Sequence, residues 1–148
     1  MTLIITVNAP EFHEFIRQLR NDQRVQDGFL EQVHISCDQQ RAYMSRFGDR
    51  YIVALLDGKP AGYAGLVDGD IRVCTHPDFQ RKGVAKALIY ELINRFPECQ
   101  ARVKQDNVPS RTLFEACGFR QVGIDNGLLV YRLLPESGPS TMTSKAVT

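Results

Sequence analysis

The chain has 148 residues, 43% of them hydrophobic and 24% charged, with 18 basic against 17 acidic side chains and a formal net charge of +1. That length fits one domain with its own core, and the even balance removes the global basicity expected of a nucleic-acid-binding protein. No run approaches the roughly 20 apolar residues of a membrane span, and the first residues lack the charged, apolar and small-residue regions of a secretion signal, so a cytoplasmic protein without membrane association is expected. Cys37, Cys74, Cys99 and Cys117 stand far apart, with no CxxC and no His/Cys pairing at zinc-ligand spacing. They read as reduced, mostly buried thiols, with neither a metal site nor a disulfide framework.

In chain order, Asn8 with Glu11 three residues later and Pro10 between them read as a helix start of the capping-box kind. Phe12, Phe15, Ile16 and Leu19 recur at helical spacing and predict a first helix ending near Arg20. Val25, Phe29 and Val33 share one face of a weaker helical segment. Ser36 and Gln39 repeat the cap signature, and Tyr43, Met44 and Phe47 precede Gly48, where a third helix closes. The N-terminal third is expected to be mostly helical.

The middle of the chain changes period. "YIVALL" (51–56), "AGYAGLV" (61–67) and "IRVCTH" (71–76) read as strands joined by hairpins at Asp57-Gly58 and Asp68-Gly69. Val84, Leu88, Ile89, Leu92, Ile93 and Phe96 follow one face of a helix that starts at Gly83 and stops at Pro97. A strand "QARVKQ" (100–105), a short helix in "VPSRTLFEACG" (108–118) and two strands around Asp125-Asn126-Gly127 complete the domain, residues 1–134. The polar tail, 135–148, is expected to be disordered. The last strand and its hairpin offer an edge for a homodimer.

Between the strand ending at His76 and the helix at Gly83 lies "PDFQRKGVAKAL". A helix N-terminus presents unpaired N–H groups and partial positive charge, so a glycine-containing turn there suits an anion, with Arg81, Lys82 and Lys86 in support. The plainer reading is a tight turn permitted by Gly83 beside a solvated cationic face. Neither a mononucleotide P-loop nor a dinucleotide fingerprint is present.

"VCTHPDFQRKGVAKALI" resembles the signature of the GNAT superfamily of N-acetyltransferases, in which a strand-Pro-x-x-[QR]-x-x-G-x-[GA]-helix segment binds the pyrophosphate of acetyl-CoA. Gln80, Gly83 and Ala85 occupy its three positions. The family's second signature is matched by "ARVKQDNVPSRTLFEACGF", with Asn107, Ser110, Leu113, Gly118 and Phe119 in place and Phe114 where a tyrosine usually stands. The resemblance implies a mixed α/β (α+β) single domain with a central, mostly antiparallel sheet of six to seven strands, splayed at its centre and flanked by helices. It implies that Val73 and Thr75 bind the pantetheine arm, that main-chain groups from Arg81 through Lys82, Gly83, Val84 and Ala85 to Lys86 hold the pyrophosphate, and that Asn107, Ser110 and Phe114 lie further along. A main-chain N–H near Cys74 or Thr75 would steady the developing oxyanion.

"LRNDQRV", "GDRYIVALLDGKPAGYAGL" and the second signature are also similar to GNAT members that acetylate amino groups on nucleotide-linked sugars. The Arg20-Asn21 pair is the least generic part, and its alternative is a helix end with Asn in a left-handed cap. Acetylases of protein N-termini share segments like "PDFQRKG", so a peptide acceptor stays open, as does a GNAT-fold module that binds coenzyme A without turnover.

The family's tyrosine is usually assigned as the acid that protonates the leaving thiolate, and Phe114 has no proton to give. With a thiol pKa of about 8.5, releasing thiolate at pH 7 is uphill by roughly 2 kcal/mol; deprotonating a lysine-like amine costs roughly 4.6 kcal/mol, and one with a pKa near 8 about 1.4 kcal/mol. The missing acid therefore favours weakly basic amines. The glutamate that some members use as base corresponds to Arg102, which leaves Asp70, His76, Glu31 and His34 as candidates beside a water-mediated base.

Overall fold

A computed structural model describes residues 1–26, 28–30 and 33–134; Glu31 and the tail 135–148 lie outside the described residues. The chain begins with a strand. Leu3–Val7 (β1) pairs antiparallel with Tyr51–Leu56 (β2), from Leu3 opposite Leu56 to Val7 opposite Ile52. The first helix, Pro10–Asn21 (α1), takes Ala9 as its N-cap with no side-chain bond. The expected Asn8–Glu11 box does not form, because Asn8 Nδ2 donates instead to the Gly48 carbonyl at 3.1 Å and to the Met44 sulfur at 3.4 Å. Pro10, with its fixed φ and missing N–H, opens the helix without that cap.

Gln23–Gln26 (α2) is a single turn, and the described residues 28–30 and 33–36 are not helical, so the segment expected through Val33 stops short. Val25 lies in α2, but Phe29 does not continue that helix; both pack against the core. Asn21 is not left-handed either: it lies within α1 and its side chain both accepts from Ile35 N–H at 2.7 Å and donates to Ile35 carbonyl at 2.9 Å. Cys37–Phe47 (α3) does carry the expected capping box, with both Ser36–Gln39 bonds made.

β2, Lys59–Val67 (β3) and Asp70–Thr75 (β4) form an antiparallel meander through turns in which Asp57 and Gly58 have φ 50° and 81° and Asp68 and Gly69 have φ 52° and 85°. Two successive left-handed residues match the twist of a tight hairpin, which is why Asp-Gly recurs at both turns. Val84–Arg95 (α4) then crosses over one face, with Val84, Leu88, Ile89 and Leu92 at most 2% exposed. Burying each contributes roughly 1.5–3 kcal/mol.

Gln100–Lys104 (β5), Val108–Ala116 (α5), Phe119–Asp125 (β6) and Leu128–Leu133 (β7) complete one seven-stranded sheet of order β1-β2-β3-β4-β5-β7-β6. It is antiparallel except at its centre, where β4 and β5 are parallel and pair only at Asp70 and Gln100. From that single pair onward the two strands run without bonding each other. Helices α4 and α5 cover one face and α1 and α3 the other, each over its own apolar cluster. β7 lies between β5 and β6, so the last strand offers no edge; the free edge at that end is β6. No helix among the described residues is long and apolar enough to cross a membrane.

Candidate functional site

The gap between β4 and β5 exposes backbone of one strand along its open side. In an antiparallel pair, bonded and non-bonded positions alternate. His76 N–H reaches the Ala61 carbonyl at 2.8 Å, so in this register Cys74 and Arg72 direct their main-chain groups at β3, while Val73 and Thr75 direct theirs into the gap. Of the two main-chain donors expected for an oxyanion, this leaves Thr75 and uses up Cys74.

At one end of the gap lies a cavity of about 560 Å³, open to solvent and lined by Val73, Thr75, Gln80, Arg81, Gly83, Val84, Ala85, Lys86, Asn107 and Ser110. Of the expected pyrophosphate residues, only Lys82 is outside this lining. Arg81 and Gly83 are both left-handed, at φ 63° and 79°, and Gly83 is the N-cap of α4. The first turn of α4 carries no acidic residue, so its partial positive charge is uncompensated. A left-handed arginine costs roughly 1–2 kcal/mol, a strain of the kind that persists where a turn must aim successive N–H groups at one point. Arg24, which sequence patterning did not single out, also lines this cavity.

A second cavity of about 340 Å³ opens from the other end, sharing Val73, Asn107 and Ser110 with the first. Its walls are aromatic: Phe29, Tyr43, Tyr51, Tyr63 and Phe114. The Tyr43 and Tyr51 hydroxyls bond each other, and the Tyr51 and Tyr63 rings stand 5.8 Å apart. Gly65, opposite Tyr51 in the β2–β3 ladder, makes room for that ring, since a Cβ there would lie 2.5 Å from Tyr51 Cδ1 and Cε1. Burial pushes both the Tyr51 and the Tyr63 phenols well above their usual range, so they stay neutral. These three tyrosines come from α3, β2 and β3, and only the folded register brings them together.

Asn107 is first of all the N-cap of α5: its side-chain oxygen accepts from Ser110 N–H at 3.2 Å, and its Nδ2 donates to the Gly28 carbonyl at 3.4 Å. It thereby ties the loop after α2 to the wall shared by both cavities. Phe114 is 4% exposed and meets Phe119 edge-on at 5.3 Å between centroids. It closes the cavity with carbon where a hydroxyl was expected of the family.

The candidate bases fare differently. Asp70 is buried beside the point where β4 and β5 meet, accepting from Gln100 Nε2 and Arg102 Nε, both at 2.8 Å. It lines neither cavity and serves to clamp the splayed strands at their base. His76 also lines neither: its Nδ1 accepts from Asp78 N–H at 3.1 Å, which occupies the lone pair a base would use. His34 is exposed outside any helix, and Glu31 lies outside the described residues. Cys74, on the splayed strand, is no nucleophile, because burial pushes its thiol up to about 12.

The acetyltransferase (GNAT) family model matches residues 13–119. A ribosomal-protein-alanine N-acetyltransferase from Brucella melitensis is 18% identical over 88% of this chain and 99% of that one, with a TM-score of 0.72. A spermidine N-acetyltransferase from Vibrio cholerae, in complex with CoA and spermine, is 17% identical over 87% and 92%, also with a TM-score of 0.72. An N-acetyltransferase from Thermoplasma acidophilum, in complex with coenzyme A, is 13% identical over 90% and 100%, with a TM-score of 0.64. No curated protein matches the chain. At these identities the solved structures share the fold.

Proposed function

Because the chain belongs to the acetyltransferase (GNAT) family, we propose that it transfers the acetyl group of acetyl-CoA to the primary amine of a small molecule, an amino sugar or similar weakly basic amine. The observation that carries this reading is the continuous path from the N-terminus of α4, along the outward-facing backbone of Val73 and Thr75, to the aromatic cavity. Acetyl-CoA supplies the thioester. The residues present suit it: N–H groups at Arg81 to Lys86 would hold its pyrophosphate, and Val73 and Thr75, whose main-chain groups face the gap, would pair with its amide-bearing arm as a strand would. The amine nitrogen attacks the carbonyl carbon, the carbon–sulfur bond breaks, the amine gives up a proton, and the thiolate takes one up. Thr75 N–H, which faces the gap, would be the main-chain donor to the developing oxyanion.

Among the described residues lining the aromatic cavity there is no carboxylate and no imidazole. A water-mediated base, one of the routes expected from the sequence, is compatible with that lining. That route suits an amine with a pKa near 8, where deprotonation at pH 7 costs about 1.4 kcal/mol, and not one as basic as lysine. The residues that resemble nucleotide-sugar acetylases support an amino-sugar acceptor, whereas the named relatives act on spermidine and on a ribosomal protein's alanine. Release of free thiol from acetyl-CoA is the test, measured against amino sugars, peptides with free N-termini and polyamines. Turnover on a weakly basic small amine supports the reading. Tight acetyl-CoA binding with no turnover on any amine would instead make the chain a coenzyme A-binding module.

A further inference from the structure

Among the described residues, the lining of the aromatic cavity carries a charge that it does not balance. Three of its lining residues are arginines, Arg20, Arg72 and Arg102, and no described lining residue is acidic. Arg102 is spoken for, with Nε on Asp70 at 2.8 Å and Nη1 3.7 Å from Asp125. Arg20 is not. Its guanidinium lies 4.3 Å over the Tyr43 ring, and its Nη1 is buried without a hydrogen-bond partner. Arg72 likewise has no carboxylate partner among the described residues, and its charge, like that of Arg20, acts on Tyr51. The tyrosines cannot neutralise these cations, because burial keeps both Tyr51 and Tyr63 as phenols.

A buried donor on a charged group is rarely left unmatched, and a guanidinium fork is shaped for the paired oxygens of a carboxylate or phosphate. The same field repels a polycation. Resting on the acetyltransferase reading, we infer that the acceptor is an amine that also carries an oxyanion, held by Arg20 and Arg72 while its apolar body lies against Tyr43, Tyr51 and Tyr63. Either a carboxylate, as in an α-amino acid, or a phosphate, as in an amino-sugar phosphate, would meet that chemistry.

The test compares matched pairs on the full chain saturated with acetyl-CoA: the standard α-amino acids against their decarboxylated amines, glucosamine 6-phosphate against glucosamine, and spermidine alone. At least one anionic member is expected to exceed its neutral counterpart tenfold or more in kcat/KM, and which pair does so identifies carboxylate or phosphate. Replacing Arg72→Gln should raise KM for that acceptor roughly 10- to 100-fold, the loss expected for a charge-assisted bond, with kcat and the acetyl-CoA KM within about twofold. Arg72→Lys should recover part of the loss. Preference for spermidine, or equal rates on charged and neutral partners, overturns the inference and leaves acetyl transfer standing. If acetyl-CoA binds and no amine is turned over, the acetyltransferase reading fails. The anion site is then judged by calorimetry with coenzyme A present: N-acetylated α-amino acids or N-acetylglucosamine 6-phosphate binding no better than their uncharged analogues overturns it.

Discussion

Replacing Gly65→Ala separates the acceptor cavity from the cofactor path. Gly65 sits opposite Tyr51, and a Cβ there would stand 2.5 Å from two carbons of the Tyr51 ring, about 1 Å inside ordinary carbon–carbon contact. The ring cannot retreat, being 2% exposed and hemmed by Tyr43 and Tyr63 at 5.9 and 5.8 Å between centroids. Overpacking of this kind costs about 1–3 kcal/mol, offset by roughly 0.4–1 kcal/mol from the stiffer unfolded chain, for a net loss centred near about 1.3 kcal/mol. Urea denaturation should show a lower midpoint with an unchanged slope. In the same variant, KM for the amine should rise at least fivefold, while KM for acetyl-CoA stays within twofold, because Val73, Thr75 and Gly83 are untouched. Unchanged stability, or acetyl-CoA and amine constants rising together, would refute the reasoning.

Gly83→Glu should abolish detectable acetyl-CoA binding by calorimetry while the fold persists, since nothing lies within 4 Å of a Cβ at that site; the loss comes from a carboxylate at the anion cradle and a side chain at φ 79°. Binding within threefold of the parent would remove α4 from the cofactor site. Phe114→Tyr should raise kcat less than tenfold at pH 7, because thiolate release is not the limiting step in this account; a gain approaching the about 30-fold that roughly 2 kcal/mol represents would make leaving-group protonation limiting. Cys74, its thiol pushed up to about 12, should resist alkylation in the folded chain at pH 8, whereas the exposed Cys37 reacts. Acetylated Cys74 in a quenched reaction, read by mass spectrometry, would contradict direct attack.

Much of the fold was legible because local chemistry and the final structure agree. The Asp-Gly turns define the meander, Ser36 and Gln39 make the capping box they advertise, and Gly83 marks the start of α4. Where reading failed, a distant partner had changed the local preference. Asn8 looks like a cap until Gly48 and Met44, from the other end of α3, take its amide. "LIITV" was passed over because an edge strand is half exposed and lacks a clean alternation, yet β2 supplies five paired positions for it. Phe29 mimics the continuation of a helix face that ends with Val25 in α2, while serving as a loop residue packed on the core.

The same division holds at the site. The cavity at the start of α4 rests largely on contiguous residues around Gly83 and was readable as a motif, with Lys82 outside its lining and Arg24 unforeseen. The aromatic cavity is assembled from α1, α3, β2, β3, β4, β5 and α5, so no spacing could reveal it. Asp70 and His76 were named for their chemistry. In the structure their oxygens and ring nitrogen accept from Arg102 and Gln100 for one and from the Asp78 N–H for the other, and neither lines either cavity.

The account stands on the gap between β4 and β5 holding acetyl-CoA. A crystal structure of the complex with coenzyme A tests it directly. The account predicts main-chain bonds from Val73 and Thr75 to the pantetheine amides, the pyrophosphate within about 3 Å of N–H groups between Arg81 and Lys86, and the sulfur facing the cavity bounded by Tyr51, Tyr63 and Phe114. Coenzyme A bound elsewhere, or in this gap with its sulfur turned away from the tyrosines, would contradict it.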